Sequence, residues 1–291
     1  MSVKSYLRRA CGLTAHIMTL LKYNNSITRN GEVLRAHNVL SAHDTLSVIL
    51  PDEANDIEPV EGEPDVLFED DSLLIVNKPP YMPVHPTKVH QLDTLANIIS
   101  YYQRSRGESY TFRALNRLDK DTSGCVIIAK DIISYALTLP TIGKEYLAVC
   151  VGIITEPGTV DAPIAISPYS KIKRCISENG QSAATDYEPI GHGSGHTLLR
   201  LTLRTGRTHQ IRCHMSSIGH PLAGDDMYSG STELIHRQAL HCGRIRFAHP
   251  ITKEIITVTA DMPDDIRLLL ASTDMQTLLA VDSLDPAEDA E

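Results

Sequence analysis

The sequence predicts an α+β fold in which a small N-terminal module precedes a mixed, mainly antiparallel sheet with flanking helices. Two observations predict it. Short alternating or continuously apolar runs that suit strands outnumber the segments with helical periodicity, and the two kinds of segment do not alternate regularly, so a doubly wound parallel sheet is not expected. The chain of 291 residues also exceeds a usual single domain, and a proline-bearing acidic stretch divides it into unequal parts.

The first 50 residues predict a compact basic module. Apolar residues recur at spacings of three and four over residues 4–22, which suits short amphipathic helices with a break near Gly12. The pair Asn30-Gly31 indicates a hairpin turn because both positions accept positive φ, and the run LSVIL at 46–50 suits a closing strand. Six Lys and Arg residues against two Asp and Glu make the module a candidate for contacts with phosphates.

Acidic segments mark the boundaries of the predicted domains. Residues 51–71 contain ten acidic and no basic residues, and residues 274–291 contain six and none. Prolines and like-charge repulsion disfavour a helix in the first of these segments and predict an extended chain. The predicted organisation is a basic module at 1–50, an acidic linker at 51–65, a main domain at 66–272 and an acidic tail at 273–291.

The overall charge hides this partition. With 27 Lys and Arg against 36 Asp and Glu, the formal net charge is -9, which as a bulk number argues against a nucleic-acid partner. Once the two acidic segments are set aside, basic residues outnumber acidic ones in the rest of the chain. RNA is therefore a compatible partner.

The cysteines and the absence of apolar spans predict a compartment. None of the six cysteines forms a CxxC pair, and their uneven spacing does not suggest a disulfide framework. The sequence has no signal-peptide pattern and no run of about 18 apolar residues. We expect a cytoplasmic monomer that does not contact membranes.

The main domain combines several strands with a few helices. Helices are predicted at 92–106, at 207–219 and from Pro263 onward. Strands are predicted on both sides of the Asp-rich turn at 70–71, and at 124–130, 145–152, 184–190, 196–204, 237–250 and 254–260.

The densest polar cluster lies directly before the apolar strand at 124–130. Asp119 stands between Arg117 and Lys120, whose positive charges favour its ionised form, and Thr-Ser-Gly then turns the chain into the strand. Asp119 is therefore a candidate nucleophile or base. The alternative is an aspartate that merely caps a turn.

A second cluster opens the predicted helix at 207–219. Gly206 gives the backbone freedom at the junction, and Arg207 and Thr208 are expected in the first helical turn, where backbone amides could help to bind an anion. The alternative is a capped helix with surface arginines. His209 and Cys213 are spaced for one helix face, but paired metal-binding motifs are missing, so no metal is expected. Neither G-x-G-x-x-G nor a Walker sequence occurs, so no nucleotide cofactor is expected.

Several ordered blocks resemble the signature motifs of the RluA-type pseudouridine synthases. The resemblance covers about residues 66–262, and five blocks in one order are far more specific than a single RLD. The blocks are NRLDKDTSG at 116–124, GKEYLAV at 143–149, GQSAATDYEPI at 180–190, TGRTHQIRCHMSSIGHPLAGDDMY at 205–228 and QALHCGRIRFAHP at 238–250. The N-terminal module more weakly resembles the αL RNA-binding motif.

The resemblance implies an isomerase that converts uridine to pseudouridine in ribosomal or transfer RNA without cofactor or metal. It implies that Asp119 is the essential aspartate, that Arg207 is its arginine partner, and that Tyr146 packs against the target base. Arg117 is then associated with the flipped-out nucleotide, and Arg212, Thr208 and Lys120 are further candidates for RNA contacts. The carboxylate acts either as a nucleophile on the ribose or as a base that yields a glycal, and the sequence leaves both routes open.

The sequence also departs from the family pattern. Asn116 stands where the family usually has histidine, and only thirteen residues separate Lys130 from Lys144, which predicts a shortened helix between them. Two other classes of protein remain as alternatives: a non-catalytic RNA-binding or ribosome-assembly protein on the same fold, and a glycoside hydrolase. The hydrolase needs a second working carboxylate, for which only Asp121 is close in sequence.

Overall fold

The computed structural model describes residues 1–23, 26–50 and 55–278, with the backbone alone at residues 22–23. The helices are α1 (Val3–Arg9), α2 (Ala15–Tyr23), α3 (Leu95–Ser105), α4 (Ile132–Thr138), α5 (Gln210–Ser217) and α6 (Asp264–Ser272). The strands are β1 (Ile27–Arg29), β2 (Glu32–Val33), β3 (Leu46–Val48), β4 (Val66–Glu69), β5 (Leu73–Lys78), β6 (Arg113–Ala114), β7 (Ser123–Ala129), β8 (Gly143–Val151), β9 (Gly158–Asp161), β10 (Ile164–Ile166), β11 (Arg174–Ile176), β12 (Ala184–Gly193), β13 (His196–Leu203), β14 (Leu240–Ala248) and β15 (Ile255–Thr259).

The central sheet confirms the α+β prediction. Its strands follow the order β4-β5-β7-β14-β8-β13-β12-β9, with β6 beside β7 and β15 beside β14. The pairing of β14 with β7 is parallel, and the other described pairs of this sheet are antiparallel. Strands β5 and β7 are nearly continuous apolar runs because both of their faces are buried.

The side chains of β8 alternate between the two faces of the sheet, and this alternation decides which of them face helix α5. Leu147 and Val149 pack with Ile266, Leu269 and Leu270 of α6 on one side of the sheet. Tyr146, Ala148 and Cys150 belong to the larger core, which includes Ile211 and Met215 of α5. Because successive side chains of a strand point to opposite faces, Tyr146 lies on the face that α5 covers.

The N-terminal module forms as predicted and packs against the main domain. Its helices are separated at Gly12, whose φ is +73°, and the Asn30-Gly31 turn has positive φ at both residues. Strand β3 pairs with β1, so the predicted closing strand is confirmed. The apolar core of the module continues onto α4, whose partly buried Ile132, Ile133, Ala136 and Leu137 pack against it. The shortened helix expected between Lys130 and Lys144 is thus α4, and it joins the two units.

The acidic linker is not a free tether where the structure describes it. Residues 55–65 contain no helix or strand, yet they lie against α3. Asn97 donates to the carbonyl of Glu58 at 2.7 Å, and Ser100 donates to the carbonyl of Ile57 at 2.8 Å. Two buried side chains of α3 thus hold the linker backbone at adjacent residues. Residues 51–54 of the predicted linker and residues 279–291 of the predicted tail lie outside the described residues.

Candidate active site

The residues from Asp119 to Thr122 form a tight turn at the start of β7. The amide of Thr122 donates to the carbonyl of Asp119 at 3.1 Å, which closes the turn. Three buried side chains hold it from outside: Lys78 donates to the carbonyl of Lys120 at 3.0 Å, Arg237 donates to the carbonyl of Asp121 at 3.0 Å, and Gln238 donates to the Thr122 hydroxyl at 3.2 Å. The Asp119 backbone is therefore fixed before any ligand binds.

Asn116 anchors the other end of this loop. Its buried amide donates to the carbonyl of Cys125 at 2.9 Å and accepts from the amide of Ile127 at 2.9 Å. The side chain thereby satisfies two backbone groups of β7, a role that a side-chain amide can fill because it carries both donor and acceptor. The departure from the family histidine at this position leaves the loop attached to the sheet.

Arg212 on α5 supplies the cation next to Asp119. Its Nη1 donates to Oδ2 of Asp119 at 3.0 Å, while Nε and Nη2 donate to the two carboxylate oxygens of Asp225 at 2.6 and 2.8 Å. The Asp225 carboxylate is fully buried, and both acids raise the pKa of Arg212 against the opposing effect of burial. Arg212 is therefore oriented by one carboxylate and presented to the other.

The predicted pairing of Arg207 with Asp119 is wrong. Helix α5 begins at Gln210, after His209 in the left-handed conformation, so Arg207 and Thr208 do not lie in the first helical turn. The side-chain Oε1 of Gln210 accepts from the backbone amide of Arg207 at 2.9 Å, and the exposed Arg207 side chain donates to the backbone carbonyl of Ser182 at 3.1 Å. The two arginines are five residues apart, and the late start of the helix places the second one on the carboxylate.

Tyr146 lies in the middle of β8 and is almost completely buried. Only 5% of it is exposed, and burial raises the pKa of its hydroxyl well above 10, with a further contribution from the Cys242 thiol. The phenol is therefore protonated at neutral pH. Since the ring lines the same cavity as Asp119, it offers a flat apolar face beside the carboxylate.

A cavity of about 300 Å³ joins these groups, a size within the range of small-ligand sites. Of the residues predicted from the sequence, it brings together Asp119, Tyr146, Arg117, Arg207 and Arg212. Lys120 and Thr208 are exposed and are not part of its wall. Arg117 is exposed as well, so its guanidinium is available at the mouth of the cavity.

Sequence reasoning missed four polar residues that build the site. Lys144 and His209 line the cavity, and Asp225 and Tyr228 stand behind it. Tyr228 is buried, its ring lies 5.1 Å from the Arg212 guanidinium, and its hydroxyl lies 3.1 Å from Nδ1 of His209. The only available signal was their membership of the matched blocks, because the spacing of residues so far apart does not predict contacts.

Of the two residues whose spacing suits one helix face, His209 lines the cavity and Cys213 is buried. Both ring nitrogens of His214 and of His241 contact protein oxygen atoms, and all six cysteines are unpaired. Within residues 1–23, 26–50 and 55–278, no three His, Cys, Asp or Glu side chains are arranged to hold a metal ion. In the same part of the chain, no helix has the length and apolar character needed to cross a membrane.

Comparison with known proteins identifies the family. Residues 72–217 match the family model described as RNA pseudouridylate synthase. A protein of Bacillus subtilis (strain 168) named uncharacterized RNA pseudouridine synthase YhcT is 40% identical over 225 residues, which cover 75% of this chain and 74% of that one. Ribosomal large subunit pseudouridine synthase D of Pasteurella multocida (strain Pm70) is 35% identical over 283 residues, covering 90% and 87%.

A solved structure agrees with this result. The human RNA pseudouridylate synthase domain containing 1 superposes with a TM-score of 0.57 at 27% identity, over 72% of this chain and 85% of that one. The chain belongs to the RNA pseudouridylate synthase family. It is an RluA-type enzyme, an isomerase that forms pseudouridine in RNA, and the resemblance seen in its sequence motifs is confirmed.

Proposed function

We propose that Asp119 is the group that opens the uridine glycosidic bond, in ribosomal RNA in the first instance. The observation that carries this role is the ion pair of a quarter-exposed Asp119 with Arg212 inside a preformed cavity. Among the described residues, Oδ2 has Arg212 as its donor and Oδ1 accepts no hydrogen bond. One oxygen is thus held by the protein while the other is available to the substrate.

The proposed reaction conserves atoms. The bond between ribose C1′ and N1 of uracil breaks, a bond between C1′ and C5 forms, and the C5 proton is lost while N1 gains one. Asp119 acts either by adding to C1′ or by removing a ribose proton to give a glycal. In both routes a carboxylate acts beside the sugar, and the Arg212 guanidinium lies next to this carboxylate and donates a hydrogen bond to it.

Two further side chains have proposed roles in holding the target. Tyr146 supplies a flat surface for the uracil while it is detached from the sugar, since its ring forms part of the cavity wall. Arg117 at the mouth is the candidate to fill the space left by the flipped nucleotide, which offsets part of the few kcal/mol that unstacking costs. Lys144 in the wall and the exposed Lys120, Arg207 and Thr208 around it are candidates for phosphate contacts.

The choice of ribosomal RNA rests on the relatives. A protein 35% identical over 90% of this chain is named for the ribosomal large subunit, which favours ribosomal over transfer RNA as the substrate. The unpaired state of all six cysteines supports a reducing compartment, which we take to be the cytoplasm. The domain plan of a basic RNA-binding module at 1–50 joined to a catalytic domain at 66–272 is supported by the exposed Lys4, Arg8 and Arg9 on α1.

Release of tritium from RNA labelled at C5 of uridine tests the proposal. The substrate is ribosomal RNA from a strain that lacks this protein, because its target uridine is unmodified. We expect release with the intact chain and at least a thousandfold slower release with Asp119→Asn, which keeps the size of the side chain but removes its charge.

Asp121→Asn is the matched control, since it makes the same change two residues away in the same turn. It should keep at least a tenth of the rate. Equal loss in both variants would mean that release depends on the whole turn and not on Asp119 in particular, and full release by Asp119→Asn would refute the assigned role. Tritium release from transfer RNA but not from ribosomal RNA would overturn the proposal that ribosomal RNA is the substrate.

A further inference from the structure

His209 occupies an unusual position between Asp119 and Tyr228. It precedes the first residue of α5 with φ of +56°, in the left-handed region that few residues other than glycine adopt. Its Nε2 lies 3.8 Å from Oδ2 of Asp119, and its Nδ1 lies 3.1 Å from the Tyr228 hydroxyl. Such backbone conformations concentrate at functional sites, so the imidazole of His209 is a candidate for a functional role.

The hydrogen bonds around Tyr228 fix the tautomer of His209. The buried Tyr228 hydroxyl oxygen accepts from the backbone amide of Arg174 at 2.8 Å. Within the described residues, its own proton has Nδ1 of His209 as the acceptor in range. The ring therefore accepts at Nδ1 and carries its hydrogen on Nε2, the nitrogen that faces Asp119. A lone pair on Nε2 would instead repel the carboxylate.

We propose that His209 is a positioning residue for Asp119. As a neutral imidazole it directs its Nε2 hydrogen toward the carboxylate oxygen that Arg212 already holds, and so helps to keep the other oxygen for the substrate. The inference rests on the role proposed for Asp119 above. The distance of 3.8 Å is about 1 Å longer than a hydrogen bond, so a small shift of the carboxylate on substrate binding completes the contact.

The surroundings of His209 keep it neutral at neutral pH. Burial lowers the pKa of the ring, and this effect outweighs the attraction of Asp119 for a positive charge. The other charged groups that face it are Arg212 on α5, Asp225 after α5 and Arg174 on β11. In mild acid, a protonated His209 would pair with Asp119 and weaken its ability to attack. Because the pKa of His209 is lowered, the reaction should keep its rate at about pH 6.5, the ordinary histidine value, and should slow only at lower pH.

Single-turnover tritium release between about pH 5 and 8 tests the proposal, with enzyme in excess over the labelled ribosomal RNA. His209→Asn suits the test because asparagine tolerates a left-handed backbone but does not titrate. We expect its rate at pH 8 to be about tenfold lower, the size of losing one hydrogen bond to a charged group, and its acid limb below about pH 6.5 to disappear.

Tyr228→Phe provides an independent variant. It keeps the ring but removes the hydroxyl that fixes the tautomer, so we expect a several-fold lower rate with the acid limb still present, since His209 remains. His192→Asn, at an exposed position on β12 outside the cavity wall, is the matched control and should behave as the unchanged protein.

Three results are decisive against the proposal. A uniform loss across the pH range in His209→Asn, with the acid limb intact, would mean that His209 only supports the start of α5. An unchanged rate in His209→Asn, or in Tyr228→Phe, would overturn the assignment while Asp119→Asn stays inactive. If Asp119→Asn is itself active, the proposed function fails instead, so the two failures are distinguishable.

Discussion

The guanidinium of Arg212 donates to the carboxylate of Asp119 at 3.0 Å, across 93 positions of sequence. The contact exists because both residues border the cavity. Arg212 lies in α5, which begins directly after the polar segment at 205–209, and Asp119 lies in the turn that precedes β7. Arg212 cannot rotate away, since Asp225 holds two of its nitrogens from behind. The candidate catalytic carboxylate thus lies opposite a guanidinium whose orientation is fixed.

Arg212→Lys should lower the single-turnover rate about a hundredfold, because a lysine cannot bridge Asp225 and Asp119 at the same time. Arg207→Lys should lower it less than threefold at saturating RNA, since the Arg207 side chain contacts a backbone carbonyl and not Asp119. Tritium release measured with both variants compares the contributions of these two arginines to the reaction rate. A larger loss in Arg207→Lys would restore the pairing predicted from the sequence.

Gly124→Ala should prevent stable folding. The φ of Gly124 is +112°, and an added Cβ would lie 2.3 Å from the carbonyl oxygen of Cys242, where β7 and β14 pair in parallel. Gly31→Ala is the matched control, because its φ is also positive but no atom lies within 4 Å of the added carbon, so we expect a cost of about 1 kcal/mol. Denaturant unfolding or soluble yield measures both. Equal stability of the two variants would contradict the close approach of the strands.

Lys78→Met should destabilise the protein and slow catalysis together. The fully buried Lys78 donates to the carbonyls of Pro79, Met82 and Lys120. Burial lowers its pKa to about 7, whereas three carbonyl acceptors require the ammonium form, and we favour the ammonium because all three contacts are shorter than 3.1 Å.

We expect Lys78→Met to cost about 3 kcal/mol of unfolding free energy and to lower the turnover rate, since the Asp119 turn loses one of its supports. Lys130→Met is the control, because that partly buried lysine pairs with Glu69 and Glu108 away from the cavity. It should lose stability without loss of turnover. Normal turnover in folded Lys78→Met would show that the turn does not depend on this lysine.

His241 should make folding stability sensitive to acid. Burial lowers its pKa to about 4, and the neutral ring contacts Ser123 and the carbonyl of Ala260. Because the unfolded chain binds this proton near pH 6.5, the unfolded state takes up more protons between about pH 6.5 and 4, and stability falls as the pH falls. The contribution is about 3 kcal/mol.

Urea unfolding at pH 7 and at pH 4 measures this effect. His241→Asn should be less stable at pH 7 but should lose about 3 kcal/mol less than the unchanged protein on acidification. His214 and His85 also have lowered pKa values through burial, so a remaining slope is expected. An identical pH dependence in the variant would contradict the assignment to His241.

Neutralising Lys4, Arg8 and Arg9 should weaken RNA binding through salt-dependent contacts. All three are exposed on α1, while Val3 and Leu7 of the same helix are buried. Replacing them with glutamine should reduce the slope of log affinity against log salt by about 2, if each contacts one phosphate. Filter binding at several salt concentrations measures the slope. The single-turnover rate at saturating RNA should stay unchanged, and an unchanged slope would mean that α1 does not contact RNA.

Most of the fold could be predicted from the sequence because the signals are local. The Asn30-Gly31 hairpin, the break at Gly12, the helix within 92–106 and the buried strand before Lys130 follow from turn chemistry and periodicity. The start of α5 could not be predicted in this way, since it depends on Gln210, whose side chain bonds to Ala184 and Thr185 on a distant strand.

The sequence predicted most residues of the candidate site but not the contacts between them. Asp119 and Tyr146 line the cavity as expected, whereas the partner of Asp119 was assigned to the wrong arginine of one motif. Asp225 and Tyr228 gave no local signal, because their importance arises from what they contact and not from their own spacing. The composition of the acidic linker predicted an extended chain without a helix, but it gave no sign that Asn97 and Ser100 of α3 bind the linker backbone.

The packing of the N-terminal module on α4 has a consequence for substrate choice. Helix α4 follows β7, and β7 begins at the Asp119 turn, so these two elements connect the apolar contact at Leu137 to the candidate carboxylate. If the module binds RNA as proposed, its packing on α4 would hold the bound RNA at a fixed distance from the cavity. An RNA that touches both α1 and the cavity must then present its uridine at a set distance from the grasped backbone, so the shape of the RNA, and not only its local sequence, would select the nucleotide.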